Sequence, residues 1–199
     1  MSQRAIAGLV LAAGESSRMG QDKALLGYRG RTFLEDILQS LRDAGIERIT
    51  VVLGHHAEEI RRQVDLTGAE VVINRSYKEG QTSSLQAGLR ALRAPEIGAM
   101  LLCLVDHPAI RSELIQQLCG AYLESRARVV VPRFQGRRGH PVLIDRALFQ
   151  PLLELDPAEG ANTVLHQYRD QTYELEVKDP TVLWDIDDPA DYQRLIEKK

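Results

Sequence analysis

Strand-length apolar runs recur along this chain with stretches of helical period between them, and that alternation leaves few architectures open. Ile6 to Ala12, Ile49 to Leu53, Val71 to Ile73, Met100 to Val105, Val129 to Val131 and Pro141 to Ile144 read as strands. Phe33 to Leu41, Ala57 to Val64, Ser84 to Leu92 and Ser112 to Leu123 read as helices between them. Such repeats predict a three-layer α/β/α arrangement, with a mainly parallel, Rossmann-like sheet covered on both faces. Thr32 with Glu35 forms a capping box for the first helix, and Gly45 can end it. Asp188 can cap a last helix whose first residue is Pro189, with Asp191 in its first turn. Residues 134–173 break the rhythm and are expected to form a lobe over the sheet's carboxyl edge, on the side of an acceptor substrate. No repeat or linker divides the 199 residues, so one domain over 1–199 is expected.

Composition narrows the partners. The formal net charge is −3 and the cations are scattered, which gives no electrostatic reason to expect nucleic acid. Cys103 and Cys119 have neither C-x-x-C spacing nor the density of a secreted scaffold, and read as reduced core thiols. Arg4 followed by an apolar stretch mimics a weak secretory leader, but the stretch is short and runs straight into a glycine-bearing loop. No segment approaches the roughly 20 apolar residues that span a bilayer. A soluble, cytoplasmic protein without membrane contact is the expectation.

The first strand empties into Ala13-Gly14-Glu15-Ser16-Ser17-Arg18-Met19-Gly20-Gln21-Asp22-Lys23. Ligands of parallel sheets gather at the carboxyl ends of strands. Gly14 and Gly20 let backbone approach an anion, and Arg18 and Lys23 supply the charge a triphosphate wants. The loop fits neither G-x-x-x-x-G-K-[ST] nor G-x-G-x-x-G. Met19 reads as a packing residue.

Asp106 emerges where the run Met100 to Val105 leaves the core, with Pro108 to stiffen the turn. A carboxylate there suits a metal ion, and equally suits a cap in a βα loop. Asp185, Asp187 and Asp188 follow Val182 to Trp184, and magnesium is held by one or two carboxylates plus substrate phosphates. Capping accounts fully for Asp188 and Asp191. Asn74 and the segment Gly80 to Leu85 form a second polar rim at the same edge, a base and ribose pocket, although a turn at Asn74 and an N-cap at Ser83 would also explain them. Gly136 to Pro141 gathers two arginines and His140 at one turn, suited to an anionic acceptor or to a simple turn histidine. His55 and His56 read as loop residues, His55 as a wall of the base pocket. With no G-x-S-x-G elbow and no Ser/His/Asp set, nucleophilic catalysis by the protein is not suggested.

The pattern L-A-A-G-x-S-x-R-M-G-x-x-K, Leu11 to Lys23, resembles the signature of the nucleotidyltransferases that mature the molybdenum cofactor. The resemblance runs on through Asn74, Gly80 to Leu85, Asp106-His107-Pro108, Gly136 to Pro141 and Asp185 to Asp191. It departs at His107, where relatives commonly show D-Q-P or D-M-P. The resemblance implies a sheet of the nucleotide-diphospho-sugar transferase type and transfer of a nucleotide to molybdopterin carrying molybdenum, with release of pyrophosphate. It implies Arg18, Lys23 and Asp106 as catalytic residues, and Leu11, Ala12, Ala13, Gly14, Lys23, Asn74, Gly80 and Ser84 against the nucleotide. Asp106 and Asp187, in preference to Asp185, would hold magnesium or manganese, and Arg138 and His140 would meet the acceptor. Gly139-His140-Pro141-Val142 and Ala13 are similar to the cytidylyltransferase branch, since guanylyltransferases tend to L-A-G-G, so CTP is the implied donor. A recipient molybdenum hydroxylase or its chaperone would take the product. NAD(P)H-dependent reductases that carry the same loop, a GTP-using guanylyltransferase and a non-catalytic nucleotide-binding regulator are the competing readings.

Overall fold

The computed structural model describes residues 5–197; Arg4, the cation of the leader-like start, lies outside them. Ten strands and seven helices follow in order. The strands are β1 (Ala5–Ala12), β2 (Gly27–Tyr28), β3 (Arg31–Thr32), β4 (Ile49–Leu53), β5 (Ala69–Ile73), β6 (Ile97–Leu104), β7 (Val129–Phe134), β8 (Arg137–Arg138), β9 (Val142–Asp145) and β10 (Thr172–Glu176). The helices are α1 (Phe33–Asp43), α2 (Ala57–Gln63), α3 (Gln81–Ala91), α4 (Ser112–Ser125), α5 (Phe149–Glu154), α6 (Asn162–Gln167) and α7 (Pro189–Glu197).

The main sheet has the order β10-β7-β9-β6-β1-β4-β5, with β8 paired to β7. All neighbours on the main path are parallel except β9, which runs antiparallel between β6 and β7. Within residues 134–173, β9 lies inside the sheet and β8 pairs with β7, while the segment of α5 packs beside α3, where Gln86 donates its amide to the carbonyls of Leu152, Leu153 and Leu155.

Strand β1 is apolar throughout because it is covered on both faces. Ala7, Leu9 and Leu11 join a core with Leu85 and Leu89 of α3 and with Phe149, Leu152 and Val164 of α5 and α6. Val10 and Ala12 point the other way, into a core built from Leu34, Ile37, Leu38 and Leu41 of α1, Ile60 of α2 and Leu114, Ile115 and Leu118 of α4. The Thr32–Glu35 capping box starts α1 as the sequence predicts, and Gly45 follows it at φ 86°. Helix α3 differs from expectation. It starts at Gln81, not Ser84, with Gly80 at the N-cap, and the Ser83 hydroxyl donates to the Gly80 and Ser76 carbonyls instead of capping. No helix among the described residues is long and apolar enough to cross a membrane.

The chain moves outward from β1 to β4 and β5, then returns to β6 on the other side of β1. That reversal opens a crevice at the carboxyl ends of β1 and β6, where sheets of this kind bind ligands. A third apolar cluster sits below it: Leu26, Tyr28, Phe33, Ala109, Ile186 and Leu195. Tyr192 of α7 donates its hydroxyl to the Gly27 carbonyl (2.8 Å), which clasps the end of the chain to the β2–β3 hairpin.

Candidate functional site

The loop after β1 aims Lys23 by three local devices. Ser16 at φ 50° and Gly20 at φ 67° turn the backbone back on itself. The Ser16 hydroxyl accepts the Lys23 N–H (3.0 Å). Asp22 accepts the Ala24 N–H (2.9 Å) and caps the short turn Lys23–Leu25. Burial pushes the Asp22 carboxyl upward, against the bond from Ala24 and the neighbouring His56.

Lys23 Nζ lies 2.7 Å from Asp187 Oδ1 and 3.6 Å from Asp106 Oδ2, and its side chain is only 12% exposed. Arg18, exposed, stands 3.4 Å from Asp187 Oδ2. The two carboxylates come from chain segments that meet through one backbone bond, Ile186 N–H to the Asp106 carbonyl (2.9 Å). Asp191 accepts the N–H groups of Asp187 and Asp188, while Asp188 accepts those of Ala190 and Asp191. Capping thus occupies Asp188 and Asp191 and leaves the Asp187 carboxylate to Lys23. The hydrogen bond from Lys23, with the charges of Lys23 and Arg18, holds the Asp187 carboxyl below the usual range despite partial burial. Asp185 is exposed and lines a separate hollow with Trp184 and Arg194.

A cleft of about 310 Å³ opens beside this cluster, lined by Leu11, Ala13, Gly14, Lys23, Tyr77, Gly80, Gln81, Ser84, Leu104, Val105 and Asp106. Gly80 is needed there: its φ of 113° with ψ 175° is a region essentially confined to glycine, and a Cβ would lie 3.2 Å from the Pro157 carbonyl. Two expected nucleotide residues stand behind the wall. Ala12 packs in the core, and Asn74 is buried, its amide donating to the Ser83 and Ser84 hydroxyls while its carbonyl accepts the Ser76 N–H. Gln81 of the expected Gly80 to Leu85 rim lines the cleft, and Tyr77, Leu104 and Val105 join it with no motif in the sequence to mark them. At Gly54 a Cβ would lie 2.5 Å from the Ala13 carbonyl, a close approach that no spacing in the sequence announces.

His107 and His140 meet beside Asp106, with ring centroids 4.6 Å apart. Burial, with the neighbouring His107, pushes the His140 imidazole down to about 4, so it is neutral at pH 7. Arg138 faces elsewhere, paired with Glu174 of β10 (2.6 Å). Gly139 passes tightly under Val182, whose carbonyl accepts the His140 N–H (2.9 Å).

Among the described residues no three His, Cys, Asp or Glu side chains converge as a metal cage. Asp106 Oδ1, however, is buried and has no hydrogen-bond partner among them, while Asp106 Oδ2 and Asp187 Oδ1 share the Lys23 ammonium. Two carboxylates with one unused oxygen fit a hard divalent cation that completes its shell with phosphate oxygens and water.

The model of the MobA-like NTP transferase domain matches residues 8–172. Over 150 residues, 72% of either chain, the sequence is 33% identical to a nicotine blue oxidoreductase of Paenarthrobacter nicotinovorans. It is 35% identical to a probable molybdenum cofactor guanylyltransferase of Opitutus terrae over 126 residues, 63% of this chain and 60% of that one. The crystal structure of Rv0371c from Mycobacterium tuberculosis superposes with a TM-score of 0.89 at 32% identity, over 99% of this chain and all of that one. The same mycobacterial protein is also known in complex with manganese.

Proposed function

The chain belongs to the MobA-like NTP transferase family and is a nucleotidyltransferase of that group; we propose that its donor is CTP and its acceptor molybdopterin carrying molybdenum. The observation that carries this reading is the convergence of Lys23, Asp106 and Asp187, with Lys23 and Asp187 separated by 164 positions in sequence, on the rim of a glycine-lined cleft. Gly14, Gly80, Lys23 and Asp106 in the lining of this cleft suit phosphate chemistry. Ala13 and the Gly139-His140-Pro141-Val142 turn favour CTP over GTP.

A terminal phosphate on the acceptor is already largely anionic near neutral pH, so its attack on the α-phosphorus needs no strong base. Catalysis then rests on placement and charge. Gly14 and Gly80 let the triphosphate lie close to backbone. Lys23 and Arg18 neutralise the pyrophosphate as it leaves, in a site where Lys23 is already shielded from water. Asp106 and Asp187 would hold a magnesium or manganese ion, which supplies charge neutralisation between the two reacting phosphates. Neutral His140 would offer the acceptor a hydrogen bond, while Arg138, held by Glu174, would contribute only on leaving that partner.

A second reading comes from the oxidoreductase relative at 33% identity: hydride transfer from NAD(P)H in the same cleft. Pyrophosphate release from CTP, GTP, ATP and UTP, each with and without molybdenum-bearing molybdopterin, separates the two. Acceptor-dependent release from CTP alone, cut about 10²–10³-fold in Lys23→Ala, is expected. Release from GTP alone would change the donor. Silence with all four, together with metal-independent NADPH binding, would replace the transferase reading with the reductase.

A further inference from the structure

Tyr77, His55 and His56 flank the phosphate-handling cluster, and the transfer chemistry uses none of them. Tyr77 opens the short turn Tyr77–Glu79 between β5 and α3. It lines the 310 Å³ cleft with Gly14 and Gly80, and also a neighbouring hollow of about 390 Å³ with Gly14, Glu15 and Lys78. It therefore stands between the two hollows.

Its placement is held from more than one side. The hydroxyl shares a 2.9 Å hydrogen bond with His55 Nδ1, and the two rings lie 5.6 Å apart. A Cβ on Gly54 would fall 2.8 Å from Tyr77 Cβ, so the close-packed glycine lets the tyrosine sit against the first loop. His55 packs on His56 at 4.0 Å, and His56 Nδ1 lies 3.3 Å from Asp22 Oδ2, next to Lys23. A continuous run of contacts thus links the aromatic wall of the cleft to the turn that carries the phosphate cation.

We propose that Tyr77 is the stacking wall for the base of the bound nucleotide and that His55 is a positioning residue, acting through the Tyr77 hydroxyl. The proposal rests on the reading of the cleft as a nucleotide site. A flat ring fixed beside phosphate-binding glycines and cations matches a ligand with a π-face at one end and negative charge at the other. Stacking of this kind adds affinity without choosing the base, since every base has a π-face. Choice of base then falls to the hydrogen-bonding groups of the rim.

The test is calorimetric titration of the full chain, with magnesium, by CTP, GTP and NADPH in turn. Tyr77→Ala is expected to weaken binding about 5- to 150-fold, the range of base–aromatic stacking, and Tyr77→Trp to retain it. His55→Ala should weaken binding in the native background and add nothing to Tyr77→Ala. His55→Gln, whose amide can still meet the tyrosine hydroxyl, should restore part of the loss. Thermal melts of each variant confirm that it folds. Native affinity in Tyr77→Ala would overturn the proposal and leave the nucleotide reading intact. Tyr77-dependent binding of NADPH alone would keep the stacking wall and discard the transferase. Binding of none of the three by the parent protein would overturn both.

Discussion

At the scale of single residues, His140 carries a measurable signature of burial. Its native pKa of about 4 lies below the roughly 6.5 of an unfolded chain, so the unfolded state takes up a proton that the native state refuses between those values. The associated stability is complete above about pH 6.5 and is lost as pH falls toward 4, at up to ~1.4 kcal/mol per pH unit. His140→Asn should show a shallower fall in urea midpoint from pH 6.5 to 4.5 than the parent. Equal slopes would mean that the imidazole titrates normally. The sequence placed His140 in a turn but held no sign of this environment, because the burial comes from His107 and from the Val182 segment, contacts across 33 and 42 positions that no local pattern encodes. Lys23, Asp106 and Asp187 were legible in a limited sense. A strand end and a glycine loop mark Asp106 and Lys23 as edge residues, and Asp187 is reached only through the resemblance of the Asp185 to Asp191 segment, whereas their mutual distances rest on long-range contacts such as the Ile186 N–H bond to the Asp106 carbonyl.

At the scale of elements, two helical glycines with the same local chemistry predict opposite outcomes. Gly88 of α3 faces the sheet, where a Cβ would come within 3.0 Å of Val52 Cγ2 and would crowd the methyls of Leu9, both side chains fully buried. Gly120 of α4 has nothing within 4 Å of that position. Alanine favours a helix by up to ~1 kcal/mol at either site, but overpacking a core costs about 1–3 kcal/mol. Gly88→Ala should therefore lower the denaturation midpoint and Gly120→Ala raise it; a gain in both would show that α3 can lift from the sheet at little cost. Element boundaries divide along the same line. The start of α1 was readable because Thr32 and Glu35 announce it with side chains. The start of α3 was not, because Gly80 caps it by backbone conformation alone and Thr82, Ser83 and Ser84, the residue types that usually cap, sit inside the helix.

At the scale of the whole molecule, the mainly parallel sheet followed from the βα alternation, and the antiparallel place of β9 did not. Val142 to Ile144 are buried on both faces, and an unbroken apolar run has the same signature whichever way the strand points. That strand has a consequence in time. The sheet neighbours of β7 are β8, β9 and β10, all of which come later in the chain. Strands β1, β4, β5 and β6 pair among themselves, but β7 has no edge to join until β9 has bridged it to β6. Pulse-labelled hydrogen exchange during refolding should then find the amides of Val10 and Leu101 protected before those of Val130 and Val131; simultaneous protection would contradict this order. The chain must assemble out of its own sequence, holding a completed segment in waiting until a later strand arrives to seat it.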